Sequence, residues 1–373
     1  MKKIILFEAF SGIGSQHQAL KNLGYEVEVA GISDWYIDAI LAYGINHLDI
    51  TPTPINKKEI LSFLNKYSLS LDSKKNAKNL SSLSENKLSI IYQVIQKFGN
   101  LDIRNISGNH LVGKNIDLFT YSFPCQDISQ QGKQKGFSKN SQSRSGLLWE
   151  IERILKEIHK TDKTSLPKIL LMENVKAILN ENFIPDLEEW IKELEKLGYQ
   201  STKPFIVNAS HLGETQKRER AFMISYLGKK PKEFKIKNKF TDKFIQDIFE
   251  EKMDHQIFET DKNIQIKNKE QKTGIKKSFL EGYSKFNAEN YVFFKDGKSP
   301  TITASGAQSR IKVFHNDKIV YLNAFEHLKL QGFLDKNFYE KIKEIGIGET
   351  KIKFLAGNSI NIKVLEEIFS FYL

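Results

Sequence analysis

Cys125 is the only cysteine in the chain, so no intramolecular disulfide and no cysteine-rich zinc site can be built, and whatever its thiol does it does alone. A lone cysteine is ordinarily a small buried hydrophobe, which leaves its neighbours to decide. Pro124-Cys125-Gln126 follows the apolar run 116–121, at the end of a parallel strand, the edge where doubly wound sheets place reacting groups. That position suits a nucleophile. A free thiol has a pKa of about 8.5, so only a few per cent is thiolate at neutral pH unless positive charge or turn amides lower it. Glu173-Asn174-Val175 follows a second apolar run, 168–172, and sets a carboxylate at another strand end, where an unpaired acid would be costly. Gln216-Lys217-Arg218-Glu219-Arg220 precedes a third run, 221–226, with two arginines at alternate positions pointing the same way. As a bare pattern, a solvated charge run is an equal reading.

A second group of residues has the types that hold a nucleoside. Phe10-Ser11-Gly12-Ile13-Gly14 forms a tight turn after a strand, and Asp34 ends the next strand, where a ribose hydroxyl pair would be held. The glycine pair alone is a weak signal, because it lacks the full dinucleotide spacing and often only permits close packing. Trp35 would cover an adenine or sit in the core. After Cys125 come Ser129, Gly132, Gly136 and two lysines, a polar segment suited to closing over a phosphate backbone or to a plain surface loop.

The elements that must position these groups alternate. The run 3–7 reads as a buried strand, the turn feeds a helix ending near Gly24, and 27–32 is a second strand. The stretch 50–99 loses strand signals and reads as a surface excursion, with helical spacing at Ile60, Phe63 and Leu64. Order resumes at 101–103, and 116–121 is a central parallel strand. Helices are expected at 147–158 and 187–197, with a strand at 168–172 between them. From Lys229 to Lys239 there are six lysines and one glutamate, and a domain boundary falls near Gly228. A last strand, 353–356, leads through Gly357-Asn358-Ser359 into a helix from Ile362. The expected division is 1–227 plus 345–373 for one domain and 228–344 for an inserted second.

With 373 residues, 40% of them hydrophobic, the chain can bury a large core. A net charge of +11 and a pI near 9.2 attract polyanions, usually nucleic acid, although AT-rich coding would also enrich Lys, Asn and Ile. No small-residue cleavage site follows the first strand and no apolar run is long enough to span a bilayer, so a cytoplasmic address and no membrane partner are expected.

The motifs decide by their order. Phe10 to Gly14, Asp34-Trp35, Asp102, Pro124-Cys125-Gln126, Glu173-Asn174-Val175, Gln216 to Arg220, Pro300-Thr301-Ile302-Thr303 and Gly357-Asn358-Ser359 together resemble the DNA cytosine-5 methyltransferase family, over nearly the whole chain except 50–99 and 229–277. The resemblance implies an α/β fold with a doubly wound mixed sheet, Rossmann-like and S-adenosylmethionine-dependent, and a smaller target-recognition domain. It implies that the Cys125 thiolate adds to cytosine C6, that Glu173 holds N3 and N4 and helps protonate the ring, and that Arg220, with Arg218, holds the O2 edge. The target base would first be flipped out of double-stranded DNA, which costs a few kcal/mol.

By the same resemblance S-adenosylmethionine lies against Phe10, Gly12 and Gly14, with Asp34 on the ribose, Trp35 and Leu147 on the adenine, Asp102 at its amino group, Ile103 and Pro124 alongside, and Asn358 and Ser359 closing the site. No metal is implied. Gln126 and Ser129 would meet DNA, and Gln131 would reach into the flipped base's vacancy. Ser11 and Ser15 depart from the Ala and Gly more common in the family, and Lys295 and Lys298 stand near an expected arginine. The stretch 282–293 and the turn from Thr303 through Ser305, Ala307 and Ser309 to Arg310 resemble CpG-methylating members of wall-less bacteria, which implies a short site containing CG. The tRNA-methylating branch shares the motifs but has a shorter recognition region, and a non-catalytic DNA-binding homologue would usually have lost Cys125 or Glu173. A monomer is expected, and the sequence leaves open a companion restriction endonuclease in the cell or an orphan or phage-borne role.

Overall fold

Leu6, Phe7 and Ala9 are all but inaccessible, as an inner strand covered on both faces must be. They lie in β1 (Lys3–Ala9) of a computed structural model that describes residues 2–125, 128, 136–139, 144–236, 243–262, 264–269 and 274–373. The chain continues through α1 (Ser15–Asn22), β2 (Glu26–Ser33) and α2 (Ile37–His47). Then come α3 (Lys57–Leu64), α4 (Glu85–Phe98), β3 (Leu118–Tyr121), α5 (Leu148–Asp162) and β4 (Ile169–Val175). The series ends with α6 (Ile184–Lys196), β5 (Tyr199–Ser201), β6 (Phe205–Asn208) and β7 (Glu219–Leu227). The sheet runs β2-β1-β3-β4-β7-β5, with β6 also on β7; β1 to β4 are parallel and β7 is antiparallel to β4.

Strand periodicity divides the buried residues between two faces. Phe7, Ala9, Phe119, Tyr121, Leu170 and Met172 share one core with Leu148, Ile151, Ile154, Leu155 and Ile158 of α5 and Leu187, Trp190 and Leu194 of α6. Each of the five α5 side chains has no exposure, and burying each is worth about 2 kcal/mol. Glu8, between Phe7 and Ala9, takes the opposite face. The stretch 50–99, expected as a surface excursion, instead supplies α4, whose Leu88, Ile90, Ile91, Val94 and Ile95 are buried against α2. Ser84 caps its start and Gly99, at φ 76, ends it. No strand forms at 101–103; Asp102 instead caps a short 3-10 turn.

The chain divides into two compact units: Met1–Val207, Glu219–Lys235 and Glu366–Leu373 form the first, and Asn208–Arg218 with Ile236–Leu365 the second. The second holds a five-stranded sheet of β8 (Gln265–Lys269), β9 (Lys277–Glu281), β10 (Tyr291–Phe293), β11 (Lys312–His315) and β12 (Lys318–Tyr321), in that spatial order. Four helices follow: α7 (Ala324–Leu330), α8 (Lys336–Glu344), α9 (Glu349–Asn358) and α10 (Ile362–Tyr372). Two expectations are corrected here. Residues 353–356 are helical, because Ile352, Leu355 and Ala356 are buried at i, i+3 and i+4. Residues 345–365 pack with the second unit, α9 lying on α7, so the first unit resumes at Glu366 and not at 345.

Candidate active site

In the first unit, the carboxyl ends of β1 to β4 carry the residues singled out by type. β3 ends at Tyr121, and the chain turns through Phe123, Pro124 and a half-buried Cys125 that forms no disulfide. Two side chains hold this turn. Asn174 Nδ2 donates to the Phe123 carbonyl at 3.1 Å, and the Ser145 hydroxyl, fully buried, donates to the Pro124 carbonyl at 2.6 Å. The Ile128 amide closes the far side on the Cys125 carbonyl at 3.0 Å. Ser145 was missed in the sequence, where a serine among Ser, Arg and Gly gives no periodic signal.

β4 does not stop at Met172 but runs through Glu173, Asn174 and Val175, paired with β7 in the register Glu173↔Phe222 and Val175↔Arg220. Glu173 and Arg220 are therefore diagonal neighbours on one sheet face. Arg220 Nε lies 3.2 Å from Glu173 Oε1, with the carboxylate buried and the guanidinium mostly so. Arg220 also donates from Nη1 to the Glu219 carbonyl at 2.8 Å.

The glycine turn is built on positive φ angles: 58° at Phe10, 54° at Gly12 and 78° at Gly14. Its Gly12 amide donates to Asp34 Oδ2 at 3.0 Å, while Asp34 Oδ1 accepts the Tyr36 amide at 2.8 Å. Burial pushes the Asp34 carboxyl up to about 6 despite these amides. Beside it, the Arg104 guanidinium sits 5.0 Å from the Trp35 ring and grips Asp102 through Nε (2.9 Å) and Nη2 (2.5 Å). Asp102, 5% exposed, is thus already paired with a cation, a partner the sequence did not suggest. Ile103 is buried in the core, and Leu147, at the end of a 3-10 turn, packs against it. A side chain added at Gly12 would meet nothing within 4 Å, so open space lies over the turn next to a carboxylate and a half-buried indole. These residues fit an adenosyl group.

Arg218 is a correction. Its guanidinium is 3% exposed and donates from Nη1 to the Ile302 carbonyl (2.8 Å) and from Nη2 to the carbonyls of Gly357 (3.0 Å) and Ser359 (2.8 Å). It precedes β7, and its guanidinium is engaged on backbone carbonyls. Gln216 completes the same cluster, accepting the Ile302 amide at 3.0 Å and donating to the Leu330 carbonyl at 3.0 Å. A Cβ at Gly357 would fall 2.4 Å from the Ala304 nitrogen, which explains the glycine by packing. Asn358 is exposed at the end of α9, and the Ser359 hydroxyl donates back to the Leu355 carbonyl at 2.9 Å.

In the second unit Thr303 and Ser309 are half-buried and bond within their own turn, to the carbonyls of Ser305 (2.8 Å) and Gly306 (2.8 Å). Ser305 is exposed, Ala307 half-buried, and exposed Arg310 pairs with Glu289 at 2.7 Å. Gln126, Ser129 and Gln131 lie outside the described residues. Among the described residues, no helix is long and apolar enough to cross a membrane and no metal-ligating group of three side chains occurs.

The family description "C-5 cytosine-specific DNA methylase" matches residues 55–371. The chain belongs to this family. A C-5 cytosine-specific DNA methylase transfers a methyl group from S-adenosylmethionine to carbon 5 of cytosine in DNA, and that is the activity of this enzyme. The methylase is 40% identical to the orphan methyltransferase M.SssI of Spiroplasma monobiae, over 98% of this chain and 96% of that one. It is 32% identical to the type II methyltransferase M2.ScrFI of Lactococcus lactis subsp. cremoris, over 98% and 97%. The fold is that of the methyltransferase EhMeth of Entamoeba histolytica (TM-score 0.66, 16% identity, 100% and 98% covered) and the S. pombe Dnmt2 methyltransferase (0.63, 18%, 98% and 97%).

Proposed function

We propose that the methylase works by covalent catalysis on a flipped cytosine, with Cys125 as nucleophile and the Glu173–Arg220 pair holding the base. The observation that carries this reading is the strand-end edge itself: a thiol on a turn held by Asn174 and Ser145, and on the next strand a buried carboxylate held at 3.2 Å by Arg220. The Cys125 thiolate forms a bond to C6 and the ring electrons move towards C5, with Glu173 supporting the proton at N3. S-adenosylmethionine supplies an electrophilic methyl group. A base then removes the C5 proton, the C6–S bond breaks and the thiolate leaves. Arg220 keeps Glu173 oriented and offers donors to O2.

The cofactor's ribose and adenine would meet Asp34 and Trp35, with Phe10, Gly12 and Gly14 beneath, and Asp102 would reach the adenine amino group only by sharing its carboxylate with Arg104. The substrate is double-stranded DNA, read at a short site containing CG by the turn 303–310. This rests on the resemblance of 282–293 and 303–310 to CpG-methylating members. The enzyme acts as a cytoplasmic monomer. Its relatives' names include both an orphan and type II methyltransferases, so a companion endonuclease is a question of the neighbouring genes.

Cys125→Ala should abolish methyl transfer and leave folding and DNA binding intact, and wild type should form a covalent adduct with DNA carrying 5-fluorocytosine, where fluorine blocks the last step. Turnover by Cys125→Ala would refute the mechanism. Bisulfite sequencing of a methylated plasmid tests the site: methylation at cytosines not followed by guanine would sink the CG reading.

A further inference from the structure

A buried acid and two buried imidazoles take no part in the chemistry above, yet they stand directly under the glycine turn. Glu8 has no exposure, and burial pushes its carboxyl up to about 7. One carboxyl oxygen accepts the Tyr43 hydroxyl and the other accepts the His17 amide at 3.3 Å. The His17 ring stacks on His47 with centroids 4.3 Å apart, and His47 Nε2 lies 3.0 Å from the Ile13 carbonyl oxygen. A carbonyl only accepts, so the bond to Ile13 needs the hydrogen on Nε2, which also lies 3.1 Å from Asn46 Nδ2. Burial holds both imidazoles below the ordinary histidine range, His17 at about 4, so they are neutral donors.

The same imidazole fills the space that a side chain at position 14 would need: a Cβ there would lie 2.3 Å from His47 Nε2 and 2.9 Å from the Tyr43 ring. Above Gly12 nothing lies within 4 Å. A side chain is thus blocked by rings at position 14 but would enter open space at position 12. Phe10 adopts φ 58 without being glycine, a conformation that persists only where the surroundings over-determine it.

We propose that His47, braced by the His17 ring and by Tyr43 on Glu8, is a positioning residue for S-adenosylmethionine, fixing the Ile13 carbonyl and so the attitude of the turn from Phe10 to Gly14. The proposal rests on the reading that this turn holds the cofactor. His47→Phe keeps the stack but cannot donate, and leaves a buried carbonyl unpaired. In the full-length enzyme it should weaken S-adenosylmethionine binding, measured by calorimetry, about tenfold, while KM for DNA and kcat at saturating cofactor stay within about twofold. His47→Gln, whose amide can reach the same carbonyl, should recover most of the affinity. Should His47→Phe not fold, Tyr43→Phe, which removes the hydroxyl that joins Glu8 and His17 Nδ1, should weaken cofactor binding roughly threefold. Gly12→Val is the control for the underlying reading. If it abolishes cofactor binding while His47→Phe binds like wild type, the positioning role is overturned. Loss of both KM values and kcat together, without rescue by His47→Gln, overturns it too. Wild-type cofactor affinity in Gly12→Val would instead overturn the cofactor turn itself, and the proposal with it.

Discussion

The strand-end edge of the first unit and the motif cluster of the second use the same kinds of residue for opposite ends. At the edge, Glu173 and Arg220 form an ion pair at 3.2 Å at the sheet's end. In the cluster, Gln216 and Arg218 turn their amide and guanidinium groups onto the backbone at Ile302, Leu330, Gly357 and Ser359. Residues two apart in one motif, Arg218 and Arg220, thus have different partners, backbone carbonyls for one and a carboxylate for the other. A motif's presence shows that its residues are needed, and their partners show for what.

Substitution of the two arginines should break or keep that distinction most sharply. Arg220→Ala should lower methyl transfer by about 10²- to 10³-fold if the proposed base contact holds, and should lower Tm as well, because buried Glu173 loses its cation. Arg218→Met should cost about 3 kcal/mol of stability, because three buried carbonyls lose a charged partner, and the activity of whatever remains folded should be near normal. Denaturant midpoints beside single-turnover rates would read both, and matching effects in the two variants would dissolve the comparison.

A further effect should appear with pH. His327 is buried beside the cluster, its Nδ1 2.8 Å from the Asn323 carbonyl, and burial depresses its pKa to about 3. The unfolded chain takes up this proton near pH 6.5 and the folded one does not, so the stability His327 contributes is complete above 6.5. It is lost as pH falls from 6.5 towards 3, at roughly 1.4 kcal/mol per unit. The stabilities of wild type and His327→Leu should converge across that window. Parallel curves would show that the histidine does not resist protonation.

The smallest change is expected where neither chemistry nor packing is involved. Replacing Lys229, Lys230, Lys232 and Lys235 by glutamine should weaken binding to all DNA sequences alike and flatten the salt dependence, by about one unit of slope for each phosphate no longer neutralised. Weakening confined to CG sites would assign these lysines to recognition instead.

The strand ends were legible because buried parallel strands write themselves as dense apolar runs, and Cys125, Glu173 and Asp34 each follow one. The run 353–356 was not, since four apolar-rich residues fit either period until neighbours such as Ile352 are seen to be buried. The layer formed by α4 was hidden by its polar flanks, although Leu88, Ile91 and Ile95 carry helical spacing. What no spacing could show is partner choice. Arg104 on Asp102 and Arg218 on three carbonyls are facts of long-range packing, and a side chain's type does not reveal which acceptor the fold will bring to it.

Because Cys125 is half-buried in the turn after β3 and is the only sulfhydryl in 373 residues, a thiol reagent counts the proposed nucleophile with no background to subtract. One equivalent of a maleimide dye would place a single reporter at the proposed nucleophile, and protection from it by bound DNA would measure occupancy directly. An oxidant reaching the protein likewise finds only one target thiol, and inactivation should track its modification one for one.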